Sequence, residues 1–165
     1  CLSPVTAALK EAGCQVRSHT DWVQLRSDGE LRAVRPIRTA PYPGFPTDAQ
    51  AVLMAALLKA RGTTVFIENI FENRYRHVDE LARLGAHIRT EGRVAVVSGV
   101  PVLHGARVQA TDLRGGAALA VAALQAEGES RISAVHHIAR GYADLAGDLA
   151  CLGANISRVD EGESI

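Results

Sequence analysis

One short phrase occurs three times along this chain, and it constrains the fold more than any other feature. LKEAGCQV (9–16), LARLGAHI (81–88) and LACLGANI (149–156) each join the end of a helical pattern, a glycine and the start of a β-like run. A glycine so placed ends a helix by adopting the left-handed conformation that residues with a Cβ resist, so Gly13, Gly85 and Gly153 are expected to be helix C-caps. Two more landmarks repeat: Thr47-Asp48 returns as Thr111-Asp112, 64 residues on, and Arg74 returns as Arg140, 66 residues on. The chain is therefore read as copies of one supersecondary unit that bury their apolar faces against each other.

Within one copy the hydrophobic periodicity predicts a strand at 33–37, a helix at 48–60, a strand at 63–69, a helix at 77–84 and a hairpin of 86–90 with 93–98, a βαβαββ order. The next copy predicts a strand at 106–110, a helix at 113–126, a strand at 129–135, a helix at 141–152 and a strand at 154–159, with no closing strand. The adjacent His136 and His137 are read as extended and pointing to opposite faces. The first copy is read from its second helix onward, with Ser3 as N-cap and Pro4 at the first helical position. The expected organisation is one incomplete domain: 1–32 the end of a first unit, 33–102 a second, 103–165 a third.

Helix composition fixes the layering. AQAVLMAALLKA (49–60) and GGAALAVAALQA (115–126) carry almost no charge on any face, and a helix that is apolar all round must be enclosed by protein. HVDELARLGA (77–86) is amphipathic and suits an outer position, and alternating segments such as RVAVVSG (93–99) suit sheets covering the inner helices. The fold class is α/β (α+β), with helices inside sheets.

Eighteen basic side chains balance eighteen acidic ones, which leaves no net field to draw the chain to nucleic acid or to an anionic membrane. The expected ligand is a small molecule, and no cofactor is expected. Cys1, Cys14 and Cys151 are odd in number and lack C-x-x-C spacing, arguing against a disulfide framework or a zinc site and for a reducing cytoplasm. The scattered histidines do not supply a metal-binding pattern either.

The repeated charged residues lie at strand-to-helix junctions, and units related by rotation bring such junctions to one rim. Arg74, Arg114 and Arg140 there form a candidate oxyanion site, because helix N-termini attract anions and guanidinium groups add planar forks suited to phosphate and carboxylate. Asp48 and Asp112 fit two roles, first-turn capping or chemistry; the three prolines of TAPYPGFPT (39–47) hold Asp48 more firmly than a cap requires. Gly115-Gly116 suits a phosphate cradle or close helix packing equally well. Cys14 occupies the small-residue slot that Ala86 and Ala154 fill in the other copies, and Trp22 is read as a packed aromatic in a hairpin.

Four blocks in order carry a resemblance: PYPGFPTDAQA (41–51), IFENRYRHVDEL (70–81), LHGARVQATDLRGGAAL (103–119) and HHIARGYADLAGDLACLGANI (136–156). Together they resemble the UDP-N-acetylglucosamine enolpyruvyl transferases, which open bacterial peptidoglycan synthesis. The resemblance implies an inside-out α/β barrel of βαβαββ units, no cofactor or metal, and two substrates, UDP-N-acetylglucosamine and phosphoenolpyruvate. It further implies that Asp48 contacts the sugar hydroxyl as base and that Ile70 and Phe71 contact the nucleotide-sugar. Arg74, Arg114 and Arg140 would surround phosphoenolpyruvate, with Glu72 and Asp112 supporting them. Ala49 and Ala139 stand where the family commonly has methionine and aspartate. The family's Lys-Asn pair, its cysteine-bearing loop and its N-terminal domain have no counterpart in these residues, so the segment alone is expected to be inactive. Two other readings are a non-catalytic nucleotide-sugar or anion-binding module, and a structural domain completed by a partner chain.

Overall fold

A computed structural model describes residues 2–159; Cys1 and positions 160–165 of the third unit lie outside the described residues. The chain opens with helix α1 (Ser3–Glu11), which starts at Ser3 itself with Leu2 in the cap position, one residue earlier than expected. Strands β1 (Gln15–Ser18) and β2 (Val23–Arg26) follow as an antiparallel hairpin. Trp22 at its turn is half exposed and stacks on His19 with ring centroids 5.5 Å apart, so it is not the packed aromatic expected.

The second unit runs β3 (Ile37–Arg38), α2 (Thr47–Ala56), β4 (Thr63–Ile67), α3 (Val78–Arg83), β5 (His87–Glu91) and β6 (Val94–Ser98). These strands form one sheet ordered β3-β4-β6-β5, with β3 parallel to β4 and the other pairs antiparallel. The strand expected at 33–37 is reduced to Ile37–Arg38. Pro36 has no N–H to give to a ladder, and the Arg35 amide donates instead to Glu11 Oε1 at 2.6 Å. Gly92 takes a positive φ of 55° in the two-residue link between β5 and β6, where tight hairpins require it.

The third unit repeats the plan: β7 (Leu103–His104), β8 (Arg107–Gln109), α4 (Leu113–Ala123), β9 (Ala126–Glu127), β10 (Arg131–Ser133), α5 (His136–Ala139) and α6 (Leu145–Cys151). Strands β8 and β10 pair in parallel across α4, as β3 and β4 do across α2, and β7 pairs with β9. Two expectations fail here. His136 and His137 begin the short α5, because Ala134 adopts a left-handed conformation (φ 55°) that turns the chain out of β10 and lets Ile138 be buried. Residues 154–159 form no strand. Their counterparts β1 and β5 pair with β2 and β6, and no such neighbour exists among the described residues for the third copy.

The three repeated glycines all have positive φ: 111° at Gly13, 92° at Gly85 and 94° at Gly153. The helices with almost no charge are the inner ones. Met54, Ala55, Ala118, Leu119 and Ala122 are essentially inaccessible, and α2 packs directly on α4. Phe66, Leu81, Leu84, Ala95 and Val97 close the core from the outer elements, and Cys14 joins the buried set as expected. The described sheets do not close into a barrel.

Gly116 faces α5 so closely that a Cβ would lie 2.5 Å from Ile138 Cγ1, well inside contact distance. Close packing therefore accounts for this glycine. Gly116→Ala is expected to destabilise the protein by about 1–3 kcal/mol through overpacking, measured by urea unfolding. Unchanged stability would return the glycine to the phosphate-cradle reading.

Candidate active site

Each inner helix follows a parallel strand, α4 after a three-residue link and α2 after the loop 39–46, and the Asp48–Arg114 pair shows that their N-termini share one rim. The loop leading to α2 is held at several points. Thr39 N–H donates to Ile67 O at 3.0 Å, Ala40 N–H donates to Phe45 O at 3.0 Å, and Phe45 is buried. Pro46 takes the cap position of α2 and makes no side-chain cap, leaving Asp48 in the first turn.

Asp48 does not use its carboxylate to cap the helix. Oδ1 accepts from Arg74 Nη2 at 3.1 Å and Oδ2 accepts from Arg114 Nη2 at 2.9 Å, so one acid from the second unit bridges arginines from two units. Asp48 remains 58% exposed at its side chain, whereas Arg74 and Arg114 are 21% and 28% exposed. The rim is thus open on the carboxylate side and backed by protein on the guanidinium side. The Asp48 hydrogen bond is the first cause that raises the Arg114 pKa above its ordinary value.

Asp112 behaves differently from Asp48. It is the N-cap of α4, and Oδ1 accepts from the backbone N–H groups of Arg114 and Gly115, both at 2.9 Å. Burial opposes its charge, but the Gly115 amide, His77, the Arg114 amide and Arg74 outweigh that and hold its pKa below the usual value. The repeat aligned two acids, and the structure gives them different work.

The other sequence-selected residues are distributed unevenly. The Arg74 guanidinium lies 5.3 Å over the Phe71 ring, a cation–π contact that ties the anion rim to the 70–71 loop. Ile70 and Phe71 are partly exposed. Glu72, expected to orient the three arginines, instead faces Arg93 at 3.4 Å. Arg140 lies at the C-terminal end of α5, five residues before α6, and not at the start of a helix as expected. It is exposed, and its side chain has no hydrogen bond or ion pair among the described residues. Two residues on, the Tyr142 hydroxyl lies 3.5 Å from Arg114 Nη1, which places this segment beside the rim. Among the described residues no group of His, Cys, Asp and Glu is arranged to hold a metal ion.

Sequence reasoning missed two residues. Glu68 is 1% exposed and accepts from Thr39 Oγ1, Thr47 Oγ1 and the amides of Ile70 and Phe71. Its signal was an acid set directly after the apolar strand TTVFI. His77 is equally buried, its Nε2 without a partner among the described residues. No periodic signal distinguished it from a surface histidine at a helix start.

Burial pushes the His77 pKa down from 6.5 to about 4, with nearby Asp112 opposing the shift and Arg74 adding to it. Between those values the unfolded chain binds a proton that the folded chain refuses, so stability is full above pH 6.5 and falls as the pH drops toward 4. The loss is expected to be about 2 kcal/mol between pH 7.5 and pH 5, read by urea unfolding. Asp112 acts in the same direction but only below the ordinary aspartate value of 3.8, outside this window. A His77→Gln variant should flatten the slope, and an unchanged slope would assign it to another group.

Comparisons with known proteins identify the family. The family model for EPSP synthase (3-phosphoshikimate 1-carboxyvinyltransferase) matches residues 2–149. UDP-N-acetylglucosamine 1-carboxyvinyltransferase of Desulfofundulus thermocisternus is 54% identical over 98% of this chain and 66% of its own length. The enzyme of that name numbered 1 in Halalkalibacterium halodurans is 48% identical over 98% of this chain and 37% of its own. Among solved structures, the enolpyruvyl transferase NikO from Streptomyces tendae superposes with a TM-score of 0.86 at 33% identity, covering 96% of this chain and 36% of that one. EPSP synthase from Acinetobacter baumannii shares the fold at a TM-score of 0.57 and 16% identity, over 79% of this chain and 31% of that one. The chain thus spans from about a third to two thirds of the length of these relatives. By the family match over nearly all of its residues, and by relatives about half identical to it, this chain belongs to the EPSP synthase family of enolpyruvyl transferases.

Proposed function

We propose that this segment forms one side of the active site of a UDP-N-acetylglucosamine 1-carboxyvinyltransferase, with the remaining length of its relatives supplying the other. Phosphoenolpyruvate carries a phosphate and a carboxylate, and several fixed cations are needed to bind it. Arg74, Arg114 and Arg140 are those cations, and Asp48 is the base that receives the proton of the sugar 3-hydroxyl as its oxygen adds to the enolpyruvyl carbon. Carbon 3 of the enolpyruvyl group gains a proton as the oxygen bonds to carbon 2, and loss of that proton together with phosphate from carbon 2 then restores the double bond. The observation that carries this reading is the Asp48 bridge between Arg74 and Arg114 at 3.1 and 2.9 Å, which sets a base and two anion-binding groups within one substrate's reach. Ile70 and Phe71 take the nucleotide-sugar, and Asp112 fixes the first turn of α4 so that Arg114 faces the rim. Work in the cytoplasm suits the unpaired thiols of Cys14 and Cys151.

The test is phosphate release by the full-length enzyme from phosphoenolpyruvate with either UDP-N-acetylglucosamine or 3-phosphoshikimate as acceptor. Turnover only with the nucleotide-sugar is expected. Turnover with 3-phosphoshikimate instead would replace the acceptor while keeping the chemistry.

A further inference from the structure

A buried acid normally has a cation beside it, because an isolated charge is costly to remove from water. Among the described residues Glu68 has no cation at hydrogen-bond distance. Its Oε1 accepts from Thr39 Oγ1 at 2.8 Å, Ile70 N–H at 2.9 Å and Phe71 N–H at 3.1 Å, and its Oε2 accepts from Thr47 Oγ1 at 3.0 Å. Four donors from three segments therefore converge on one carboxyl group. Thr39 is itself inaccessible, and its Oγ1 also accepts from Asn69 N–H at 2.8 Å. Two of the three segments held this way carry residues of the rim. Thr47 directly precedes Asp48. Ile70 and Phe71 form the exposed loop, and the Phe71 ring lies under the Arg74 guanidinium.

A core of this size has cheaper ways to pin a loop, since an apolar side chain of similar volume needs no desolvation. What a carboxylate accepting from four donors adds is a shared reference point for the separate loops. We infer that Glu68 is a positioning residue that sets Asp48 and the Ile70-Phe71 loop in register with each other, Oε2 acting on the first through Thr47 and Oε1 on the second. This rests on the function proposed above. A displacement of about 1 Å at a reacting group is enough to cost a large part of the rate, which is why such a hub belongs under an active site.

The two oxygens make separable predictions in the full-length enzyme. Thr47→Val removes only the Oε2 link and is expected to lower kcat about tenfold, with KM for UDP-N-acetylglucosamine within about twofold of the parent. Glu68→Ala removes both links and should also raise that KM about tenfold. Glu68→Gln keeps Oε1 as an acceptor, and should bring KM back to within about twofold of the parent. A role confined to stability would lower the melting temperature in all three and leave kcat and KM of the folded enzyme unchanged, which would overturn the proposal. If Glu68→Ala does not fold, Thr39→Val takes its place as the Oε1 test, with the same rise in KM expected.

Amide hydrogen exchange gives a readout that needs no turnover. Ile70 and Phe71 should lose protection about tenfold or more in Glu68→Ala or Thr39→Val and keep it in Thr47→Val. Equal protection in all variants sinks the positioning role whatever the enzyme does. A parent without turnover on the two substrates sinks the function proposed above and leaves the exchange result to decide on Glu68.

Discussion

Asp48→Asn in the full-length enzyme is expected to lower kcat by about a hundredfold or more, the usual loss when a positioned base is removed. Geometry adds a second expectation that a simple base would not give. In this structure the Asp48 carboxylate occupies the two guanidinium groups proposed to take the incoming anion, one through each oxygen. Asparagine keeps the shape but removes the charge, so Arg74 and Arg114 lose an internal competitor. Phosphoenolpyruvate should then bind as tightly as in the parent or more tightly, even though turnover collapses. A fall in kcat with unchanged or improved anion affinity identifies Asp48 as a group that acts on the hydroxyl and yields its arginines to phosphate. A raised KM with unchanged kcat would instead make Asp48 a binding residue. Isothermal titration with phosphoenolpyruvate, paired with steady-state phosphate release, separates these outcomes.

The convergence of Asp48, Arg74 and Arg114 was legible in the sequence because it follows from the repeat. Equivalent junctions in rotated copies meet, and the inner position of α2 and α4 was written in the absence of charge beyond their first turns. The difference between Asp48 and Asp112 was not legible. Both look like first-turn acids, yet Asp48 is the second residue of its helix and Asp112 is the cap, a shift that the 64-residue offset hides. Glu68 and His77 escaped for another reason. A buried polar residue looks like an exposed one until its surroundings are known: Thr39 and Thr47, which donate to Glu68, lie 29 and 21 residues away, and the His77 Nε2 has no partner among the described residues. Residues 154–159 failed in the opposite direction: the pattern is that of a strand, but a strand exists only where a neighbour accepts its hydrogen bonds.

Arg140 tests how the rim divides its charge. Arg74 and Arg114 are engaged by Asp48, Asp112 is engaged by backbone amides, and the Arg140 side chain is exposed without a partner among the described residues. Of the three arginines proposed to bind the anion, Arg140 is thus the one not engaged by an acid among the described residues. Arg140→Lys keeps the charge and loses the planar fork, so a site that needs bidentate contact to phosphate or carboxylate should weaken. The expected result in the full-length enzyme is phosphoenolpyruvate binding weakened about tenfold or more, the equivalent of one charge-assisted hydrogen bond, with UDP-N-acetylglucosamine affinity within about twofold. Stability should not move by more than about 0.5 kcal/mol, because an exposed side chain without partners contributes little to the fold. Titration of both ligands into variant and parent gives the answer. Equal phosphoenolpyruvate affinity would remove Arg140 from the anion site and leave Arg74 and Arg114 to hold the substrate alone, which would require Asp48 to release both before the anion can bind.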